Sequence, residues 1–204
     1  MVIIHLLPNI AGWSLQAVGI VWLVTAVWFA AQRRDTLRGK LWHFARTLLP
    51  EPWMIIGLAA LIIILNLLPA SIWHPISWHN PALTEFGSVL VIASSALMIW
   101  ARLALGNMWA GRPMIQQEHE LRTGGPYQLV RHPIYTGILG VMFGLTLMAG
   151  FGPSTVTFAF VLAWLLHRVH EEDRILINTF GNDYRTYQQQ VNTLIPLPHR
   201  MIHQ

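Results

Sequence analysis

Apolar residues along this chain are gathered into long runs that polar segments separate. A transmembrane helix needs about 20 residues to cross about 30 Å of hydrocarbon. The last two runs are short, and only the uncharged turn Gly150-Phe151-Gly152-Pro153 separates them, which predicts a helical hairpin. The runs lie at residues 10–31, 53–69, 82–105, 134–150 and 153–167. We therefore predict an all-α polytopic membrane protein with five transmembrane helices, the last continuing through Ile177 beyond the membrane.

The composition supports a membrane protein and the charges predict its orientation. Hydrophobic residues make up 54% of the 204 residues and charged residues 11%, with a mean hydropathy of +0.46. All 13 Lys and Arg residues fall within 32–52, within 102–132 or after residue 167. By the positive-inside rule, this predicts a multi-pass protein of the inner (cytoplasmic) membrane, with the amino terminus outside and the carboxyl terminus cytoplasmic. We expect contact with membrane lipids and, without a basic patch interleaved with aromatic residues, no nucleic acid partner.

A single integral-membrane domain over residues 1–204 is expected, because no linker is long enough to separate two domains. We expect residues 1–101 to form its membrane scaffold and residues 102–204 to carry the candidate functional site. Apolar residues at helical spacing over 37–48 predict a helix lying in the membrane interface. Nothing in the sequence specifies an oligomeric state.

Two polar clusters, within 119–137 and 168–174, flank the predicted hairpin. Charged groups at a membrane boundary are costly unless they are paired, so the two clusters together indicate a functional site. Arg168 is placed three and four residues before Glu171 and Glu172, on one side of a helix. Each cluster also has a purely structural interpretation. The first could be a proline-led helix start with topogenic arginines, and the second, with Glu171, Glu172 and Asp173, the solvated beginning of a protruding helix.

Metal and Rossmann-type cofactor sites are not expected. The chain has no cysteine, and it lacks both an H-E-x-x-H pattern and the histidine boxes of membrane di-iron enzymes, so we predict no metal. No strand pattern is present to build a dinucleotide-binding sheet. Any nucleoside cofactor would therefore have to be bound by helices and loops.

The ordered motifs of the second half resemble the isoprenylcysteine carboxyl methyltransferase family, over about residues 102–198. Phospholipid N-methyltransferases share much of the pattern. The motifs are His119-x-Leu121, Gly125-x-Tyr127, Arg131-His132-Pro133-x-Tyr135-x-Gly137, Arg168-x-x-Glu171-Glu172, Phe180-Gly181-x-x-Tyr184-x-x-Tyr187 and a closing Pro196.

The resemblance implies an S-adenosyl-L-methionine-dependent membrane methyltransferase acting on the carboxylate of a lipophilic small-molecule or lipidated substrate. Arg168 and Glu172 would be catalytic, and Arg168 would also bind the substrate carboxylate as a bidentate clamp. The helix beginning at Pro133 would offer its positive end to the methionine carboxylate. The cofactor-binding residues implied are His119, Glu120, Leu121, Arg122, Tyr127, Arg131, His132, Pro133, Ile134, Tyr135, Glu171 and Glu172.

Two other classes of function stay open from the residues alone. A phospholipid N-methyltransferase or a methyltransferase for small thiols or amines could use the same scaffold. An amine acceptor would need a base such as Glu171 or His170, because a protonated ammonium must lose a proton before it attacks. A non-catalytic membrane protein, or a relative of NADPH-dependent sterol reductases that carry a similar R-H-P stretch, is the further alternative.

Overall fold

The computed structural model describes residues 6–32, 52–106 and 121–196, and within these residues the protein is helical with no named strand. The predicted interfacial helix over 37–48, together with His119 and Glu120, lies outside the described residues. The described α-helices are α1 (Leu7–Gln32), α2 (Pro52–Leu67), α3 (Ala70–Trp73), α4 (Pro81–Leu105), α5 (Pro133–Ala149), α6 (Pro153–Phe180) and α7 (Asn182–Gln190).

Proline and glycine set the helix ends of the second half. Pro133 and Pro153 occupy the first helical positions of α5 and α6, where the missing N–H leaves no hydrogen bond unmade. Gly150 ends α5 in the left-handed conformation, at φ +74°. At the start of α4, the side chain of Asn80 accepts a hydrogen bond from the Ala82 N–H at 2.9 Å.

Helices α4 and α5 pack closely through small residues. A Cβ on Gly144 would lie 2.7 Å from the carbonyl oxygen of Gly87, and a Cβ on Gly140 would lie 2.1 Å from Ser94 Oγ. Lipid tails are as apolar as the helices, so membrane helices associate where small side chains let their backbones approach. The glycines of α5 therefore hold it against α4, and this contact fixes where the start of α5 lies.

The turn between α5 and α6 lies against the segment that precedes α4. The Trp78 N–H donates to the Gly150 carbonyl oxygen at 2.8 Å, and a Cβ on Gly150 would lie 2.6 Å from the ring of His79. The α5–α6 turn is thus attached to the segment that leads into α4. The polar residues of the second half lie at the opposite end.

Two described helices are long and apolar enough to cross a membrane, α1 over Leu7–Trp28 and α4. The pair Trp53–Leu67 and Ala70–Ile76, bent by 99°, would add a third if it forms one span. Helix α5 is apolar but has only 17 residues, and α6 becomes charged from Arg168 onwards. The helical architecture is confirmed, whereas the count of five spans stays a prediction.

Helix α6 continues past the start of α5 and through Ile177, as predicted, and ends at Phe180. Because α5 and α6 form a hairpin, residues 168–173 of α6 lie beside residues 131–135. Helix α7 then turns back, and its buried Tyr184 and Tyr187 close the polar end of the hairpin.

Candidate active site

A tyrosine hydroxyl joins the two residues that the sequence suggests are catalytic. Tyr135 Oη donates a hydrogen bond to Glu172 Oε2 at 2.8 Å and accepts one from Arg168 Nε at 3.3 Å. Arg168 is only 5% exposed, so its charge is largely shielded from water. Electrostatic contacts strengthen where water is excluded, which favours an anion as the ligand of this arginine.

His132 stands between the two acidic residues of α6 that face α5. Its ring stacks on that of Tyr135, with the centroids 5.6 Å apart and the planes 14° from parallel. His132 Nε2 lies 2.9 Å from Asp173 Oδ1, and His132 Nδ1 lies 4.0 Å from Glu172 Oε2. The first helical turn of α5 is therefore tied to α6 by a histidine and a tyrosine side by side.

Asp173 also receives the guanidinium of Arg131, at 3.0 Å from Oδ2, and the hydroxyl of Tyr184. Burial by itself would raise the pKa of Asp173, but the hydrogen bonds from His132 and Tyr184 and the electrostatic effects of His132 and Arg131 outweigh it. The pKa of Asp173 is lowered from 3.8 to about 2. Asp173 is therefore ionised, and its contacts connect α6 with the start of α5 and with α7.

Sequence reasoning missed Asp173, which it treated only as part of a solvated helix start. A signal was available, because the acidic run Glu171-Glu172-Asp173 must place its members on different sides of α6. Adjacent residues on a helix are rotated by about 100° from one another. Glu172 and Asp173 face α5, while Glu171 points elsewhere.

The segment after α7 lies along the start of α5. Backbone N–H groups of Arg131 and His132 donate to the carbonyl oxygens of Asn192 and Thr193, at 2.8 and 3.1 Å. The Arg131 guanidinium also donates to the Val191 carbonyl oxygen at 3.0 Å and to Thr193 Oγ1 at 2.8 Å. The segment from Val191 to Thr193 thus helps to fix the positions of Arg131 and His132.

Three buried tyrosines around the site stay protonated, and the hydroxyls of Tyr184 and Tyr187 donate hydrogen bonds. Burial, and next the negative charge of Glu172, raises the pKa of Tyr127, and burial with the hydrogen bond to Asp173 raises the pKa of Tyr184. Burial also raises the pKa of Tyr187 to about 12. The hydroxyl of Tyr187 donates to the carbonyl oxygen of Tyr127, which fixes the loop before α5.

The structure brings most of the predicted site residues together, but not all. Pro133 and Ile134 are buried and support the start of α5, while Leu121 is half-buried and Arg122 exposed. The side chain of Glu171 is 48% exposed, and its Oε1 lies 3.6 Å from His167 Nε2 on the outside of α6. We therefore find Glu171 apart from the cluster that contains Arg168 and Glu172.

Arg102, which the sequence suggested only as a topogenic charge, is almost completely buried at the end of α4. It is 1% exposed and donates to the Gly106 carbonyl oxygen at 2.8 Å. Its charge acts on Tyr127, so α4 contributes to the same polar end. Within the described residues, no group of three or more His, Asp or Glu side chains is placed to hold a metal ion.

This arrangement can bind an anion at a buried guanidinium while presenting a carboxylate to a cation a few ångströms away. The raised pKa values of Tyr127, Tyr184 and Tyr187 keep these hydroxyls protonated, so none of the three serves as a general base. The chemistry that fits is a reaction between an anionic acceptor and a cationic donor, in which position matters more than proton transfer.

Comparison with known proteins gives the family. The model of the isoprenylcysteine carboxyl methyltransferase (ICMT) family matches residues 87–178, which include most of α4, all of α5 and the charged part of α6. Protein-S-isoprenylcysteine O-methyltransferase B of Arabidopsis thaliana is 30% identical over 144 residues, covering 69% of this chain and 73% of that protein.

Two further relatives cover shorter parts. Protein-S-isoprenylcysteine O-methyltransferase of Schizosaccharomyces pombe is 32% identical over 104 residues, covering 50% of this chain and 43% of the relative. Methanethiol S-methyltransferase 1 of Bradyrhizobium diazoefficiens is 38% identical over 74 residues, covering 34% of this chain and 24% of the relative. The matched helices carry the site described above, and the chain belongs to the isoprenylcysteine carboxyl methyltransferase family.

Proposed function

We propose that this protein is an S-adenosyl-L-methionine-dependent integral-membrane methyltransferase that methylates the carboxylate of a lipophilic, prenylcysteine-like substrate. The observation that carries the proposal is the buried guanidinium of Arg168, joined through Tyr135 to Glu172 at the end of an apolar hairpin. The family supplies the reaction class, and the buried positive charge favours an anionic acceptor.

The residues at the start of α5 suit the cofactor by their chemistry. His132 and Tyr135 present stacked rings, and the amino-terminal end of α5 attracts a carboxylate through the helix dipole. Glu172, with its side chain 32% exposed, is placed to accept hydrogen bonds from an ammonium group. When bound there, S-adenosyl-L-methionine supplies a methyl group on a positively charged sulfur.

Arg168 is the residue that we propose for the acceptor. Its planar guanidinium can hold both oxygens of a carboxylate, which fixes the direction in which the attacking lone pair points. An ionised carboxylate needs no base to remove a proton, in agreement with tyrosines that stay protonated. The work of the protein is then to orient the acceptor and to exclude water.

The apolar helices support a lipophilic acceptor and a position in the membrane. We propose five spans, with the polar end of the α5–α6 hairpin facing the cytoplasm, from the distribution of all 13 basic residues in the chain. A substrate with an apolar tail would then keep that tail in the lipid while its charged end meets Arg168 at the boundary.

The experiment exchanges Arg168 and compares acceptor classes. With a prenylcysteine analogue, Arg168→Ala should remove a charge-assisted contact worth about 1.5–3 kcal/mol, or roughly ten- to a hundredfold in kcat/KM. Arg168→Lys should recover only part, because the planar fork is lost. Arg174→Ala, an exposed arginine on the same helix, is the matched control and should leave kcat/KM near the wild-type value.

A small-thiol acceptor is the second candidate, favoured by the similarity to a relative named for methanethiol. A neutral thiol gives Arg168 no anion to hold, so Arg168→Ala would then cost little. Wild-type efficiency of Arg168→Ala with the prenylcysteine analogue would reject the carboxylate clamp.

A further inference from the structure

Tyr135 occupies a position that a residue lining a cofactor site does not require. Its hydroxyl lies between two groups of α6 that are one helical turn apart, with Arg168 as its donor and Glu172 as its acceptor. Oppositely charged side chains four residues apart on a helix tend to pair directly with each other. Here a neutral oxygen from another helix accepts a hydrogen bond from the guanidinium and donates one to the carboxylate.

Several contacts hold Tyr135 and its neighbours in place. Its ring stacks on His132, and the neighbouring Thr136 Oγ1 donates to the Leu194 carbonyl oxygen at 2.7 Å. The start of α5 is further fixed by Pro133, which is fully buried. The position of the hydroxyl is therefore set by α5 and by the chain after α7 as well as by its two bonds to α6.

We propose that Tyr135 is a positioning residue for Arg168 and Glu172, and that its hydroxyl sets the orientation of the guanidinium that clamps the acceptor. This inference rests on the proposed carboxylate-methylating function. Because the guanidinium is planar, a hydrogen bond at Nε fixes the plane in which the two terminal nitrogens lie. The bond to Glu172 holds the carboxylate at a set distance from that plane.

The variant that tests the inference is Tyr135→Phe, which removes the hydroxyl and keeps the ring that stacks on His132. Methyl transfer to a prenylcysteine analogue should lose about tenfold in kcat, while the KM for S-adenosyl-L-methionine changes less than about twofold. If Tyr135 only lined the cofactor site with its ring, Tyr135→Phe would keep the wild-type kcat.

A double-mutant cycle with Arg168→Ala separates positioning from direct action. If Tyr135 acts through Arg168, Tyr135→Phe should cost less than about twofold once the guanidinium is absent. Tyr187→Phe is the matched control, because its hydroxyl bonds to the Tyr127 carbonyl and not to Arg168. Its effect should be the same in both backgrounds.

The outcomes distinguish this inference from the proposed function. If the wild-type protein methylates the prenylcysteine analogue and Tyr135→Phe costs the same factor with and without Arg168, the positioning role is refuted while the function stands. If the wild-type protein does not methylate that substrate, the proposed function falls, and the cycle is then measured on unfolding temperature. Coupling between Tyr135→Phe and Arg168→Ala would support the bond, and additive losses would refute it.

Discussion

Replacement of Asp173 by Asn tests whether this carboxylate holds the polar end of the hairpin together. Asp173 accepts from His132, Arg131 and Tyr184, and its side chain is only 15% exposed. Asparagine keeps the shape and one acceptor oxygen but loses the negative charge. The substitution therefore removes the negative charge and, because the amide NH2 must face a donor, one of the two acceptor oxygens, with little change in packing.

The expected loss follows from the lowered pKa of Asp173, from 3.8 to about 2. A difference of one pKa unit corresponds to about 1.4 kcal/mol, so the charge should contribute about 2 kcal/mol near neutral pH. For a domain of this size, that corresponds to a fall in Tm of roughly 4–8 °C. Asp173→Ala also leaves three donors without their acceptor and should cost about 3 kcal/mol or more.

The pH dependence gives the sign of the effect. Because the pKa of Asp173 is lower in the folded protein, its stabilisation is present above the unfolded value and is lost as pH falls towards about 2. Wild-type Tm should therefore fall more steeply than that of Asp173→Asn as the pH is lowered below about 4.

Thermal unfolding of the detergent-purified protein, followed by far-UV circular dichroism, measures both quantities. Asp183→Asn is the control, since Asp183 is exposed in the first turn of α7. Equal Tm values for wild type and Asp173→Asn at pH 7, or parallel losses of stability in acid, would refute the reasoning.

Three other predictions concern the packing of α4 and α5, the cofactor site and the orientation in the membrane. Gly144→Ala places a methyl group against the backbone of α4 and should cost about 1–3 kcal/mol in stability, whereas Gly57→Ala, with open space around it, should change Tm little. Calorimetric titration with S-adenosyl-L-methionine should show a larger loss of affinity for Glu172→Ala than for Glu171→Ala, because only Glu172 faces α5; equal losses would contradict the site. As the chain has no cysteine, Gln189→Cys carries its only thiol, and an impermeant reagent should label it only after permeabilisation if α7 is cytoplasmic.

The sequence predicts the helices of the second half well, because apolar runs there are bounded by strong local signals. Pro133, Gly150 and Pro153 mark helix starts and ends whatever the tertiary structure is. Gly181, at φ +56°, likewise ends α6 after Phe180, because glycine adopts a positive φ without steric cost.

Contacts between motifs were not predictable from spacing alone. His132 and Asp173 are 41 residues apart, and which of the acidic residues of α6 faces His132 depends on the rotation of α6 about its axis. That rotation depends on how α6 packs in the folded protein, which the spacing of the motifs does not specify. Backbone hydrogen bonds to Asn192 and Thr193 carry no side-chain signal at all.

The identity of the methylated atom tests the proposed function most directly. Wild-type protein is incubated with methyl-labelled S-adenosyl-L-methionine and a prenylcysteine analogue, and the lipophilic product is then treated with base. A carboxyl methyl ester is hydrolysed and releases its label as volatile methanol, whereas methylated amines and thioethers keep theirs. We predict that the label is released, and that Arg168→Ala forms roughly ten- to a hundredfold less of the labile product. Label that stays in the lipophilic fraction after base treatment would contradict a carboxylate acceptor.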